Sequence, residues 1–507
     1  MRRRPAAALA LAACASAAAL VGCGSDDGER RACPSALVEQ VRAVERDTPA
    51  ALDWVDCDGG AQVAALAVPI DRAAPAGDDL VLAVARRPAS GDRIGSLVVN
   101  PGGPGASALE FALLAADYFP DVITERFDVV AFDPRAVGLS AGFDCVDDAT
   151  MARWWGTDRS PDDAGERAAT ARAAAAVAEG CTERHGDLLQ HVSTLDTAHD
   201  LEAIRVALGE DTISYLGFSY GTLIGALYAE EYPERVRAMV LDGAVDPSRP
   251  TELTLADQAA GFEGALEAFL DDCASRDDCA FFSGGDPHHA YDLLMEAIDA
   301  EVLYAVDAGG EERGLGPGEA DLGVASALYF GRDGWPRLAD ALVGAARGDA
   351  SELLQLADEY AQRTTDGRYD DGLEASYAIG CLDGPQPTID ELTVLADELH
   401  LRLPRFGAAT AWYGAPCAFW SAPPAVEGAY GPVRAAGAPP IVVIGTTGDP
   451  ASPYAWSESL AEQLERGVLL TRDASGHLAY LRGDGCIDDA VHRALIELVP
   501  PAPGTRC

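Results

Sequence analysis

No lysine occurs in the sequence: all 37 basic residues are arginine. That excludes a Schiff-base lysine, a serine–lysine dyad and the lysine of a phosphate-binding loop. Bases are also scarce against acids, 37 to 82, which gives a formal net charge of −45. A surface of that sign repels phosphate and excludes nucleic acid as a partner. It suits cationic ligands, or simply keeps the chain in solution. There is no C-x-x-C pair, and His288 and His289 have no partner at ligand spacing, so no metal is expected. The G-x-G-x-x-G fingerprint of dinucleotide sites is missing too, and no cofactor is implied. Past the N-terminus, no apolar run reaches the roughly 18 residues of a membrane span.

The N-terminus itself carries three arginines and then an apolar stretch from Ala6 to Val21. This reads as an export signal over residues 1–22. Its end, Leu20-Val21-Gly22-Cys23, resembles a bacterial lipobox, which implies cleavage before Cys23 and lipidation of its thiol. Residues 23–50 then form a tether and N-terminal segment. The expected location is extracytoplasmic: the outer face of the membrane through a lipid anchor, or secretion if the cut falls nearby. Export changes the meaning of the cysteines. Twelve are present, and setting aside Cys14 and Cys23 leaves an even set suited to disulfides. Neighbour pairing is the economical arrangement: Cys33–Cys57, Cys145–Cys181, Cys273–Cys279, Cys381–Cys417 and Cys486–Cys507. Each is worth about 2–4 kcal/mol.

A chain of 507 residues suits one large domain with an insertion, or two domains. Short apolar runs recur at 62–70, 79–87, 127–132 and 213–218, and again downstream in PIVVIGTTGDP and GVLLTRDASGH. The first two are separated by a Pro/Gly/Asp turn, as in a hairpin. The others alternate with helical patterns around 163–181 and 194–208, which predicts an α/β fold with a mostly parallel central sheet. Between Asp246 and Gly437 the pattern turns helical, with no strand run of the earlier type. It reads as a helical cap inserted before the last strands. The expected division is a core over 51–246, a cap over 247–437 and the rest of the core over 438–507.

The segment ISYLGFSYGTLIGALYAEEYP poses the chemical question. Glycines two before and two after Ser219 allow a sharp strand-to-helix turn that lifts the hydroxyl above the sheet. A nucleophilic serine needs a base. Of eight histidines, His477 alone combines a strand-end turn with a place downstream of the serine. The base needs a carboxylate behind it. Asp449 ends the strand PIVVIGTTGD; Asp473 and Asp242 are the alternatives. The order Ser…Asp…His is that of α/β-hydrolases. In this reading Ser219 attacks a carbonyl, His477 takes its proton and Asp449 holds the imidazole tautomer. The oxyanion then falls to the N–H of Tyr220 and to the NPGGPG loop, at Gly103 with Gly102 beside it.

NPGGPG, DPRAVGLS, GFSYG, VLDGAVDP, AIGCLD, GTTGDPASPY and GHLAY together resemble the secreted tripeptidyl aminopeptidases of actinobacteria, α/β-hydrolases related to proline iminopeptidases. The resemblance runs from Leu52 to Cys507. It implies a serine exopeptidase acting at peptide N-termini, with a helical cap, and it places the nucleophile, acid and base on Ser219, Asp449 and His477. The sequence departs from the family pattern at Ala136, where glycine is usual, and at Ser452, where threonine is common. Peptide substrates of this kind carry a free ammonium, which needs a carboxylate once desolvated; Asp383 in AIGCLD is the candidate. An esterase or lipase on the same scaffold, and a non-catalytic binding protein, are the competing readings.

Overall fold

The apolar runs fold as strands because each supplies residues to two buried faces. In the computed structural model, residues 52–507 except 427 are described, together with Leu37, Val38 and Val41. The export signal, Cys23 and Cys33 lie outside the described residues. The strands are β1 (Val55–Asp56), β2 (Gln62–Pro69), β3 (Asp79–Arg87), β4 (Gly95–Asn100), β5 (Phe127–Phe132), β6 (Ile213–Phe218), β7 (Val236–Asp242), β8 (Leu303–Val306), β9 (Glu312–Leu315), β10 (Ile441–Gly448), β11 (Gly467–Ser475) and β12 (Thr505–Arg506). Ten of them form one sheet in the order β1-β2-β3-β5-β4-β6-β7-β10-β11-β12. The hairpin end is antiparallel, through β1/β2, β2/β3 and β3/β5. From β5 onward every neighbouring pair is parallel.

Alternation along β6 shows the two-sided burial. Ile213 and Tyr215 join the apolar core on one face, whereas Leu216 and Phe218 join the core on the other. The covering helices start where the sequence supplies caps. Asp163 closes a capping box with Glu166 at the helix Ala164–His185. Ser193 does the same with Asp196 at the helix Thr194–Leu208, which ends on left-handed Gly209.

Between β7 and β10 the chain is mostly helical, opening with the 24-residue helix Thr251–Ala274. It also contains the antiparallel hairpin β8–β9, in a stretch where no strand run was expected. The helical pattern stops at Ala300. Asp307 then nucleates a turn, its carboxylate accepting from the amides of Gly309 and Glu311 at 2.9 Å each. The apolar spacing of the preceding helix had masked that signal. No helix of the described residues is long and apolar enough to cross a membrane.

Four expected cysteine pairs are formed: Cys145–Cys181, Cys273–Cys279, Cys381–Cys417 and Cys486–Cys507. Cys57 is also disulfide-bonded.

The motif DPRAVGLS earns its place as a bolt. Arg135 is fully buried. Its Nε and Nη2 bind the Asp200 carboxylate at 2.6 and 2.9 Å. The remaining donors reach the carbonyls of Ile70, His191 and Pro69. All five guanidinium N–H groups are thereby satisfied. Arg135→Met strands the Asp200 carboxylate with Arg72 as its remaining cation. It is expected to cost about 3–5 kcal/mol, read as a lower midpoint in urea denaturation. Ala136, where glycine is usual in the pattern the sequence resembles, sits at φ +69° with no exposed surface. The departure therefore holds an L-residue in a conformation that disfavours one.

Candidate active site

Ser219 lies between the end of β6 and the helix Gly221–Glu231 at φ +51°, the strained conformation of a sharp elbow. Its amide donates to the Asp242 carbonyl at 2.8 Å, which pins the turn to β7. The flanking glycines are needed for room. A Cβ on Gly217 would stand 2.4 Å from the Gly221 carbonyl oxygen, and one on Gly221 would stand 2.7 Å from that of Asn100.

His477 sits in the loop after β11. Its Nδ1 lies 2.9 Å from both Oδ1 and Oδ2 of Asp449. Asp449 is held in turn by the amides of Ala451 and Ser452 at 2.9 Å each, by the Ser452 hydroxyl at 3.0 Å and by the Leu478 amide at 3.2 Å. So many donors leave the carboxylate one orientation. Ser452 Oγ also approaches His477 Nδ1, at 3.3 Å. The two rival carboxylates are placed elsewhere. Asp242 accepts from the amides of Ala479 and Tyr480, bracing the loop that carries His477. Burial pushes its carboxyl up to about 6. Asp473 pairs with Arg506 near the C-terminus.

Ser219 and His477 line one cavity of about 140 Å³, together with Gly103. A larger hollow of about 550 Å³ opens behind Asp449, but neither Ser219 nor His477 lines it. Gly102 and Gly103 adopt φ values of +103° and +109°. A Cβ on Gly102 would stand 3.0 Å from Ser219 Cβ and 3.1 Å from the Tyr220 amide nitrogen. The loop therefore presses its backbone against the elbow. The Gly102 amide is spent on Asn100 Oδ1 at 3.0 Å. Tyr220 caps the following helix, where the first amides have no intrahelical acceptor. Asp133 ties the loop down, accepting from the Ser107 hydroxyl and the Ala108 and Leu139 amides.

Sequence reasoning missed the side of the cavity built by the chain between β7 and β10. Tyr329, Tyr360 and Tyr413 line it, with Gln362 and Glu359. Tyr329 also braces His477: its carbonyl accepts from the His477 amide at 2.8 Å, and its ring meets the imidazole edge-on at 5.3 Å. These residues lie in helical stretches where an aromatic reads as core, so the pattern held no signal for them. Asp383, expected to hold an ammonium, is not among the lining residues. Its carboxylate instead accepts from the Thr194 amide and hydroxyl and from the Tyr430 hydroxyl. His288 lies beside Glu267 and Asp271, a grouping invisible in the spacing, and Arg405 already pairs with Glu267.

The described geometry has counterparts among known proteins. A sequence profile of the alpha/beta hydrolase fold matches residues 95–484. The serine protease Hip1 of Mycobacterium tuberculosis is 39% identical over 487 residues, which covers 90% of this chain and 91% of the relative. Carboxylesterase B of the same organism is 35% identical, covering 88% and 86%. A tripeptidyl aminopeptidase of Streptomyces lividans is 32% identical, covering 90% and 86%. With the profile spanning most of the chain and these relatives nearly all of it, the chain belongs to the alpha/beta-hydrolase family.

Proposed function

We propose that this protein is a serine peptidase that removes short fragments from peptide N-termini, with Ser219 as nucleophile, His477 as base and Asp449 as its orienting acid. The observation that carries the reading is the imidazole of His477. It is fixed through Nδ1 by Asp449 and lines, with a strained serine, a cavity roofed by an inserted cap. Ser219 attacks the scissile carbonyl as His477 removes its proton, and water later releases the acyl-enzyme. The oxyanion is met by the N–H groups of Tyr220 and Gly103, since the Gly102 amide is already engaged. The core spans 51–246 and 438–507, with residues 247–437 as the cap. Paired cysteines fit an oxidising compartment, in keeping with export and a lipid anchor on Cys23.

Glu359 replaces Asp383 as the group that takes the substrate's ammonium, because it is the carboxylate found among the cavity-lining residues. Arg337 occupies one edge of it through bonds of 2.6 and 2.8 Å. A carboxylate has further lone pairs for an ammonium. The test compares a free-amine tripeptide anilide with its N-acetylated form. Wild type is expected to favour the free amine by at least about 100-fold, and Glu359→Gln to erase most of that preference through KM. Equal rates on the two forms for wild type would remove the aminopeptidase reading. They would leave an ester hydrolase, the reading that the carboxylesterase relative favours.

A further inference from the structure

A chain of hydrogen bonds runs from the side chain of Tyr220 to Asp383. The Tyr220 hydroxyl lies 2.6 Å from Thr194 Oγ1. Thr194 has a single hydroxyl proton, and it goes to Asp383 Oδ2. Tyr220 must therefore donate to Thr194. The other carboxylate oxygen takes the Thr194 amide at 2.9 Å and the Tyr430 hydroxyl. Three distant segments meet here. Tyr220 belongs to the elbow, and Thr194 opens the helix Thr194–Leu208. Asp383 follows Cys381, which is bonded to Cys417.

Thr194 has no exposed surface and Tyr220 is 6% exposed. An apolar wall grips a ring without fixing its rotation or depth, whereas a buried hydroxyl has one favourable place to be. The same residue supplies the backbone N–H assigned above to the oxyanion, and that N–H works only when it is correctly aimed beforehand. The proton order also requires an ionised carboxylate. Asparagine has nearly the same shape, but its NH2 group in place of Oδ2 donates to Thr194. Thr194 must then donate to Tyr220, and the phenol proton loses its acceptor. Burial pushes the Asp383 carboxyl up to about 6 while the bonds from Thr194 and Tyr430 hold it down, and the three donors aimed at its two oxygens favour the ionised form.

We propose that Asp383 is a positioning residue for the oxyanion site, acting through the hydroxyls of Thr194 and Tyr220. This rests on the reading of Ser219 as nucleophile and of the Tyr220 N–H as an oxyanion donor. The test uses the full mature chain as wild type, Asp383→Asn, Tyr220→Phe, the double variant and Ser219→Ala. Turnover is followed on p-nitrophenyl acetate, which has no ammonium, and labelling is followed with a fluorophosphonate. Each single change is expected to lower kcat on the ester by about tenfold with KM within about twofold, less than the loss of a whole donor. The double variant is expected to be no slower than the slower single, because both cut one chain.

A double variant slowed by the product of the two effects would overturn the proposal, since independent scaffold roles multiply. So would an Asp383→Asn enzyme with unchanged ester kcat and a raised KM for free-amine peptides alone, the behaviour of a substrate contact. If Asp383→Asn does not fold by circular dichroism, Tyr220→Phe decides the matter alone, and full activity in it overturns the proposal. Ser219→Ala separates the two levels. Loss of labelling there upholds the nucleophile whichever way Asp383→Asn falls, and labelling at the wild-type rate removes both.

Discussion

Ser219→Ala is expected to lower kcat on a peptide anilide by at least about 10^4-fold and to abolish fluorophosphonate labelling. The size follows from what remains. The oxyanion donors and the cavity still bind and polarise a carbonyl, but no atom is left to form the acyl-enzyme. The fold should survive. Alanine has the same Cβ as serine and meets the same strain at φ +51°. The fixed bonds at this position run through the backbone, to the Asp242 carbonyl and from the Thr222 amide and hydroxyl. A thermal midpoint close to wild type, with turnover gone, is the paired result. An alanine variant that still carries label would end the enzymatic account.

Asp449→Asn is expected to cost about 10^4-fold in kcat with little change in KM. The surrounding donors dictate why. Two amides, from Ala451 and Ser452, point at Oδ1, so the asparagine carbonyl takes that side. The NH2 group then falls at Oδ2, facing His477 Nδ1. Because Nδ1 lies 2.9 Å from both carboxylate oxygens, a donor at one of them competes with the ring's own N–H and favours the tautomer in which Nδ1 accepts. The ring proton moves to Nε2, and the nitrogen that should take the serine proton is already protonated. Asp473→Asn changes a pair exposed on both sides and is expected to alter kcat by less than about twofold. If Asp473→Asn proved the crippled variant and Asp449→Asn the active one, the acid would have been misassigned.

The parts legible in the sequence were those fixed by short-range chemistry. The elbow showed because a buried strand, a serine between glycines and a helix follow one another within a few residues. Asp449 and His477 showed because each ends a strand in a polar turn. The hairpin β8–β9 was hidden by a helical period that stops at Ala300, just short of it, and its turn depends on a carboxylate answering two backbone amides. The cavity lining could not be read, because Tyr329, Tyr360 and Tyr413 look like core aromatics until the packing of the stretch between β7 and β10 places them around the cavity that Ser219 lines. The surroundings of Asp383 were hidden for a related reason. A motif aspartate beside a cysteine says that something must meet its charge, but not whether that partner is a ligand or the protein itself.

The contact between the Tyr329 carbonyl and the His477 amide carries a lesson for anyone wishing to strip this enzyme down. A lid is commonly treated as a gatekeeper, disposable if a broader diet is wanted. Here the helical stretch between β7 and β10 doubles as scaffolding: the Tyr329 carbonyl shores up the loop bearing His477, and Gly331 abuts Gly476 so tightly that an ideal Cβ on Gly331 would lie 2.8 Å from the Gly476 nitrogen. Excising it would leave an exposed cleft whose machinery has lost its buttress. Redesign of selectivity belongs in the tyrosines facing inward, with the backbone seam left untouched.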